Sequence, residues 1–214
     1  MWVVVVAAGD GRRFGAPKQF AQIAGRAMVQ WAVDAARSVA DGVVLVLPRS
    51  EVEAGAPARR AVAGADVVVA GGDTRAASVR AGLAVVPASA DVIVVHDGAR
   101  PLASPALFRA VVDMVEGGAD AAVPGLAVAD TLKRVVGDAV TDTVARQGVV
   151  AVQTPQAFRA TVLRDAHRDL SEATDDAGLV ESLGATVRVV AGDPRNIKVT
   201  TVADLEVAQA LATS

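Results

Sequence analysis

With 214 residues, 52% of them hydrophobic, the chain can build a sizeable core and is too apolar for disorder. A net charge of −3 lacks the basic excess of a nucleic-acid binder, no apolar run reaches the ~18 residues of a membrane span, and the lack of cysteine removes disulfides and thiolate metal sites. The expectation is one cytoplasmic domain with no nucleic-acid or membrane partner, which meets any anionic ligand with local charge.

The first element is a continuous apolar run, Trp2–Val6, as expected of a strand buried on both faces. It runs into Ala7-Ala8-Gly9-Asp10-Gly11-Arg12-Arg13-Phe14-Gly15-Ala16-Pro17-Lys18. Glycines let backbone N–H groups approach phosphate oxygens, and the three cations neutralise charge, so this stretch suits a polyphosphate. A dinucleotide fingerprint would need a third glycine where Phe14 stands, and an acidic residue after the second strand, where Leu47-Pro48-Arg49-Ser50 has none. A P-loop would need Gly-Lys-Ser/Thr, but Lys18 lies between Pro17 and Gln19. A nucleotidyltransferase loop, with Arg13 and Lys18 embracing the α-phosphate, fits best. The plainer reading is a strand–helix turn with solvated arginines.

Strand-like runs follow at Val43–Leu47, Asp66–Val69 and Val92–Val95, between helix-like patterns at Met28–Val39, Pro57–Ala63 and Thr74–Val86. Ser104-Pro105 opens a further helix to about Glu116, with Ser as N-cap. This alternation predicts an α/β fold, an open and mostly parallel Rossmann-like sheet flanked by helices. Such sheets bind ligands beyond the carboxyl ends of their strands, where Gly71-Gly72-Asp73-Thr74-Arg75 and His96-Asp97-Gly98-Ala99-Arg100-Pro101 join the glycine loop. Asp73 could read a ribose, or it or Thr74 could merely cap the helix. Asp97 could hold Mg2+ between phosphates. His96 reads as a core histidine, and His167, in a charged helical stretch, as a solvated one.

Ala119–Val128 reads as another strand, and two β-prone runs around Gly137-Asp138 as a hairpin arm of about residues 130–146. An isolated hairpin is marginal in water, so the arm should lean on the domain body or on a second subunit. A strand at Val149–Gln153, a helix at Phe158–Leu170 and a helix capped by Thr174-Asp175-Asp176 follow. The chain closes with a strand at Thr186–Val190, a polar-edged strand at Asn196-Ile197-Lys198-Val199-Thr200 and a helix at Thr201–Leu211. Taken alone, Lys198 reads as a solvated lysine.

Several of these stretches, in order along nearly the whole chain, closely resemble the 2-C-methyl-D-erythritol 4-phosphate cytidylyltransferase family. They are Ala7-Ala8-Gly9-x-Gly11-Arg12-Arg13 with Pro17-Lys18-Gln19, Gly71-Gly72-Asp73-x-Arg75-x-x-Ser78 and His96-Asp97-x-Ala99-Arg100-Pro101. Asp130-Thr131-x-Lys133, Thr154-Pro155-Gln156, Thr174-Asp175 and Asn196-Ile197-Lys198-Val199-Thr200 complete the set. The resemblance implies a homodimeric enzyme that joins CTP to a polyol phosphate, with Mg2+ as cofactor. Arg13, Lys18 and Lys198 would be catalytic, acting on the phosphates. Ala7, Ala8, Gly9, Gly11, Gly72, Asp73, Ser78 and Asp97 would bind the nucleotide. Thr131 and Arg146, carried by the arm into the neighbouring subunit, would grip the second substrate with Thr154 and Thr174. A ribitol 5-phosphate cytidylyltransferase is the rival within the same class, and a non-catalytic nucleotide-binding module lies outside it. Val6 in place of a proline, Asp10 inside the loop and Gly98 in place of an alanine depart from the pattern.

Overall fold

A computed structural model describes residues 1–9, 14, 17–53, 62–169 and 173–213. In chain order, β1 (Trp2–Val6) is followed by a short pair, β2 (Gln22–Ile23) and β3 (Arg26–Ala27), then α1 (Met28–Arg37), β4 (Gly42–Leu47), α2 (Arg49–Glu53), β5 (Val67–Ala70), α3 (Arg75–Leu83), β6 (Val92–Asp97) and α4 (Pro105–Glu116). The second half holds β7 (Ala121–Ala127), β8 (Leu132–Val136), β9 (Ala139–Val144), β10 (Val150–Val152), β11 (Gln156–Arg159), α5 (Ala160–Ala166), α6 (Asp176–Ser182), β12 (Val187–Ala191) and α7 (Val202–Ala212).

The main sheet runs β10-β7-β11-β6-β1-β4-β5, with β12 also on β7. Its first half is parallel, β6, β1, β4 and β5 pairing in that order. Alternate residues of these strands feed two cores, as the two-residue period of a strand demands. Val3, Val5, Val43, Leu45 and Val94 pack with Val29 and Val33 of α1 and Phe108 of α4. Val4, Val44, Val46, Ile93 and Val95 pack with Val79 of α3, Leu163 of α5 and Val180 of α6. Burial on both faces is why these strands read as unbroken apolar runs. At their N-terminal edge the Trp2 indole lies over Gly42, where any Cβ would approach it to 2.5 Å.

The second half is antiparallel where it joins the first. β11 pairs with β6, and both β10 and β11 lie along β7, whose opposite flank takes β12 in parallel. β10 and β11 are thus two pieces of one strand line, interrupted at Gln153-Thr154-Pro155, where the Thr154–Pro155 bond is cis. The arm stands apart as its own two-stranded sheet, β8 against β9, turning at Gly137 with φ +61°. A left-handed φ is one that glycine adopts without penalty, and the turn falls where the sequence placed it.

Two expectations are corrected. The helix expected from Phe158 begins at Ala160, because Gln156–Arg159 is claimed by β6 and β7 as a strand. Residues 196–200 form no strand; they are a loop whose Val199 N–H donates to Ala99 O at 2.8 Å. Residues 57–61 of the helix expected at Pro57–Ala63 lie outside the described residues.

Candidate active site

The carboxyl ends of β1, β4, β5 and β6 open into one cleft of about 890 Å3. Ala7, Ala8, Gly9, Lys18, Gly72, Asp73, Ser78, Asp97 and Lys198 all line it. Arg13 and Gly11, with Asp10, lie outside the described residues. The walls come close because side chains are missing where turns converge. A Cβ on Gly71 would stand 2.3 Å from the Ala8 Cβ, and one on Gly98 would stand 2.9 Å from the Ala7 Cβ. Gly98 therefore lets the ends of β1 and β6 approach as they do.

Thr74, not Asp73, caps α3: its Oγ1 accepts from the Ala77 N–H at 3.0 Å. Asp73 is thereby left on the cleft wall. Ser78, buried in the first turns of α3, donates to the carbonyls of Thr74 at 2.9 Å and Gly72 at 3.3 Å. Lys18 sits in a short 3-10 turn and donates to the Val199 carbonyl at 2.9 Å, so the glycine loop's end is tied to the loop bearing Lys198.

Asp97, the last residue of β6, is the hub. Its Oδ2 accepts from Lys198 Nζ at 2.7 Å and its Oδ1 from Arg75 Nε at 3.3 Å. Burial alone would raise this carboxyl, but the charges of Arg75 and Lys198 prevail and hold it well below the usual carboxylate range. Arg75 is likewise penalised by burial, yet Asp176 and Asp97 together fix it as a cation. A second cleft, of about 240 Å3, opens on the other side of this group, lined by Arg100, Gln153, Thr154, Gln156, Thr174 and Asp175. Arg75, Asp97 and Lys198 belong to both clefts.

Behind the second cleft runs a chain of hydrogen bonds whose direction is determined by its ends. The Arg100 carbonyl can only accept, so His96 Nε2 donates to it, at 3.1 Å. His96 Nδ1 then accepts from the Thr154 hydroxyl, at 3.1 Å, while that hydroxyl accepts from the Asp97 N–H, at 3.0 Å. Full burial pushes His96 down to about 4, which keeps the ring neutral, as this chain requires. His96 is thus the core histidine expected. His167 is not the solvated one expected: it is 5% exposed and donates from Nε2 to Asp176 Oδ1 at 2.9 Å.

The Lys198 loop is held by a buried amide pair. Asn196, fully buried, donates to the Thr154 carbonyl at 2.8 Å, and Gln153 Nε2 donates to the carbonyls of Asp193 and Asn196 at 2.9 and 3.2 Å. Sequence reasoning gave no site role to Gln153, Gln156, Asn196, Asp176 or His167. Gln156 and Asn196 stood inside motifs already quoted, and Asp176 beside the cap Asp175, whose Oδ1 accepts from Gly178 N–H at 3.0 Å; Gln153 had no such signal. Thr154 and Thr174 both reach the second cleft. Thr131 and Arg146 reach neither cleft of their own chain; both are exposed at the base of the arm, and Arg146 donates to the Ala129 carbonyl.

For a metal, the donor set is sparse. Among the described residues no group of three or more His, Asp or Glu side chains converges. The carboxylates on the large cleft are Asp73 and Asp97. That suits an ion such as Mg2+ that takes one or two carboxylates and draws its other ligands from substrate phosphates and water, and does not suit an all-protein cage.

A glycine-walled cleft at parallel strand ends, with Lys198 and Arg75 on a buried carboxylate and Lys18 on the same wall, suits a nucleotidyltransferase of the α/β class. The model of the family "IspD: 2-C-methyl-D-erythritol 4-phosphate cytidylyltransferase" matches residues 1–214. The 2-C-methyl-D-erythritol 4-phosphate cytidylyltransferase of Rhodococcus jostii is 46% identical, over 97% of this chain and 93% of the relative. That of Deinococcus radiodurans is 42% identical, over 97% and 88%. The crystal structure of the Thermus thermophilus protein of the same name superposes with a TM-score of 0.85 at 39% identity, covering 99% of this chain and 98% of that one. The chain belongs to the 2-C-methyl-D-erythritol 4-phosphate cytidylyltransferase family.

Proposed function

We propose that this protein joins CTP and 2-C-methyl-D-erythritol 4-phosphate to give 4-(cytidine 5'-diphospho)-2-C-methyl-D-erythritol and pyrophosphate. The observation that carries the reading is the shared wall: Arg75, Asp97 and Lys198 border both a large cleft and a small one. Two substrates held on either side of that wall would meet at it. The large cleft takes CTP, with Ala7, Ala8, Gly9, Gly72 and Ser78 around the cytidine and Asp73 toward the ribose. The triphosphate extends toward Lys18, and by resemblance Gly11 and Arg13 would bind it. The small cleft takes the polyol phosphate, against Thr154, Thr174 and Lys198.

An oxygen of the polyol's phosphate attacks the α-phosphorus in line. A new P–O bond forms as the bond from the α-phosphorus to the β-bridging oxygen breaks, and pyrophosphate departs with the electron pair. No side chain need become covalent, so catalysis lies in positioning and in charge stabilisation. Lys18, Arg13 and Lys198 offset the negative charge that builds on the α-phosphate and the leaving group. Asp97 keeps Lys198 aimed at the junction. Mg2+ bound at the triphosphate, with Asp97 or Asp73 as its protein ligand, would neutralise leaving-group charge.

The arm completes the site in trans. Its strands present Val135, Val136 and Val140 to solvent at 56%, 70% and 60% exposure, which an isolated hairpin does not sustain without a partner. In a homodimer Thr131 and Arg146 reach the partner's small cleft and grip the substrate phosphate. The whole chain then works as one nucleotidyltransferase domain with an inserted arm, at home in the cytoplasm; among the described residues no helix is long and apolar enough to cross a membrane.

The test is pyrophosphate release from CTP with methylerythritol phosphate and, separately, with ribitol 5-phosphate. Release with the first supports the reading. Release with ribitol phosphate alone moves the substrate to the rival polyol, and release with neither overturns the reaction.

A further inference from the structure

Gln19 is the middle residue of the 3-10 turn Lys18–Phe20, is 3% exposed, and lines the large cleft beside Lys18. The backbone around it is tied down. Phe20 N–H donates to Pro17 O at 3.2 Å, Ala21 N–H to Lys18 O at 2.9 Å and Met28 N–H to Ala21 O at 2.8 Å. The carboxamide is not: its Nε2 is buried with no hydrogen-bond partner among the described residues. Arg75, Arg100, Gln156, His167 and Asn196 each bury an unpartnered atom as well, but every one of them bonds through another atom of the same side chain. Among the described residues, the Gln19 side chain bonds through neither of its polar atoms.

Taking an amide out of water without a partner destabilises a protein, and an apolar side chain of the same length would fill the space without that cost. What justifies an amide at this place is a partner that arrives with the substrate. We propose that Gln19 is a further substrate-binding residue of the large cleft: its carboxamide donates an N–H to a phosphate oxygen of CTP, next to the Lys18 charge. This rests on the cytidylyl-transfer reading and deepens it. Phosphate oxygens accept, so Nε2 is the atom used. Neither end of the amide is anchored, and the terminal torsion of glutamine is broad and two-fold, so the NH2 group can turn onto the cleft. The amide adds direction where Lys18 supplies charge.

The experiment pairs stability with binding in Gln19→Met, which keeps the length of the side chain and removes the amide. The thermal midpoint of the free protein is expected to stay level or rise, because an unpartnered donor has gone. Calorimetric titration with CTP and Mg2+, without polyol phosphate, should show affinity about 10- to 100-fold weaker than the wild type's, as for a lost hydrogen bond to a charged group. Affinity for cytidine, which carries no phosphate, should stay within about twofold. A lower midpoint or a failure to fold makes the amide structural and overturns the proposal. Wild-type affinity for CTP also overturns it, as does a loss shared equally by cytidine, which would place the amide on the base or ribose.

Inorganic triphosphate separates this contact from the nucleotide assignment. The wild type should bind it more tightly than Gln19→Met does, and equal binding by the two proteins overturns the contact. If the difference is found in a protein that binds no CTP, the nucleotide reading fails and the phosphate contact stands.

Discussion

The two halves of the sheet, which meet at β6, do comparable work with different means. On the parallel side three segments of the cleft wall directly continue a strand: Ala7–Gly9 follows β1, Gly71–Asp73 follows β5, and Asp97 ends β6. On the antiparallel side, groups are imported from far along the chain. Thr154 reaches Asp97 across 57 residues, and Asp176 and Lys198 reach Arg75 and Asp97 across 101 each. The first half is a backbone surface, shaped by missing side chains; the second is a polar assembly of buried side chains that position one another. A backbone surface tolerates local change away from its glycines. A buried network does not, because a partner removed leaves a desolvated group behind.

The largest expected effect is at the junction. Lys18→Ala should reduce pyrophosphate release by about two to three orders of magnitude, comparable to loss of one electrostatic stabiliser, with an almost unchanged thermal midpoint. Turnover within tenfold of wild type would remove Lys18 from the chemistry and leave it a strap to Val199.

Next is the acid sensitivity of β6, where the two halves meet. His96 binds its proton at about 4 when folded against an ordinary 6.5, because burial opposes the charge. The unfolded chain thus takes up the proton first as pH falls. Stability from the neutral ring is full above pH 6.5 and is lost between 6.5 and 4, by roughly 3 kcal/mol. Asp97, held low by Arg75 and Lys198 despite its burial, adds stability that is full above the ordinary carboxylate range and drains away below about pH 4. In urea titrations at stepped pH, His96→Asn should begin less stable at pH 7 and show a flatter decline from 6.5 to 4. A decline as steep as the wild type's would mean that another group carries it.

In the proposed dimer the arm distinguishes the halves in a third way, because it would serve only the small cleft. Val136→Asp on its exposed face should weaken dimerisation by about tenfold or more, read by sedimentation at micromolar protein. Turnover of the variant should then fall on dilution, mainly through the KM for the polyol phosphate. A fully active monomer would break that link. Smallest is Thr74→Ala, which removes the α3 cap: about 1 kcal/mol of stability is lost, and kcat stays within about twofold.

Legibility followed the same division. The apolar runs of β1, β4 and β6 and the glycine-bearing turns after β1, β5 and β6 could be read directly, because burial on both faces and close backbone approach leave local signatures. The arm was legible from Gly137 and its flanking β-prone runs. Gln156–Arg159 was not: nothing local marks it as a strand, and it becomes one by fitting between β6 and β7. Asn196–Thr200 looked β-prone but is held by the Gln153 and Asn196 amides, which no periodicity announces. His167 sits among charged neighbours in sequence, and only the fold turns it inward onto Asp176. Ion pairs 101 residues apart leave no pattern in a single sequence.

Two clefts that share one wall are the basis of the proposed two-substrate reaction. A crystal structure of the protein with CTP tests this most directly. The nucleotide is predicted to lie in the large cleft, with its base and ribose against Ala7–Gly9, Gly72 and Ser78 and its α-phosphate at the Asp97–Lys198 wall, leaving the Thr154 cleft open. A nucleotide seated instead against Thr154, Gln156 and Thr174 would contradict it.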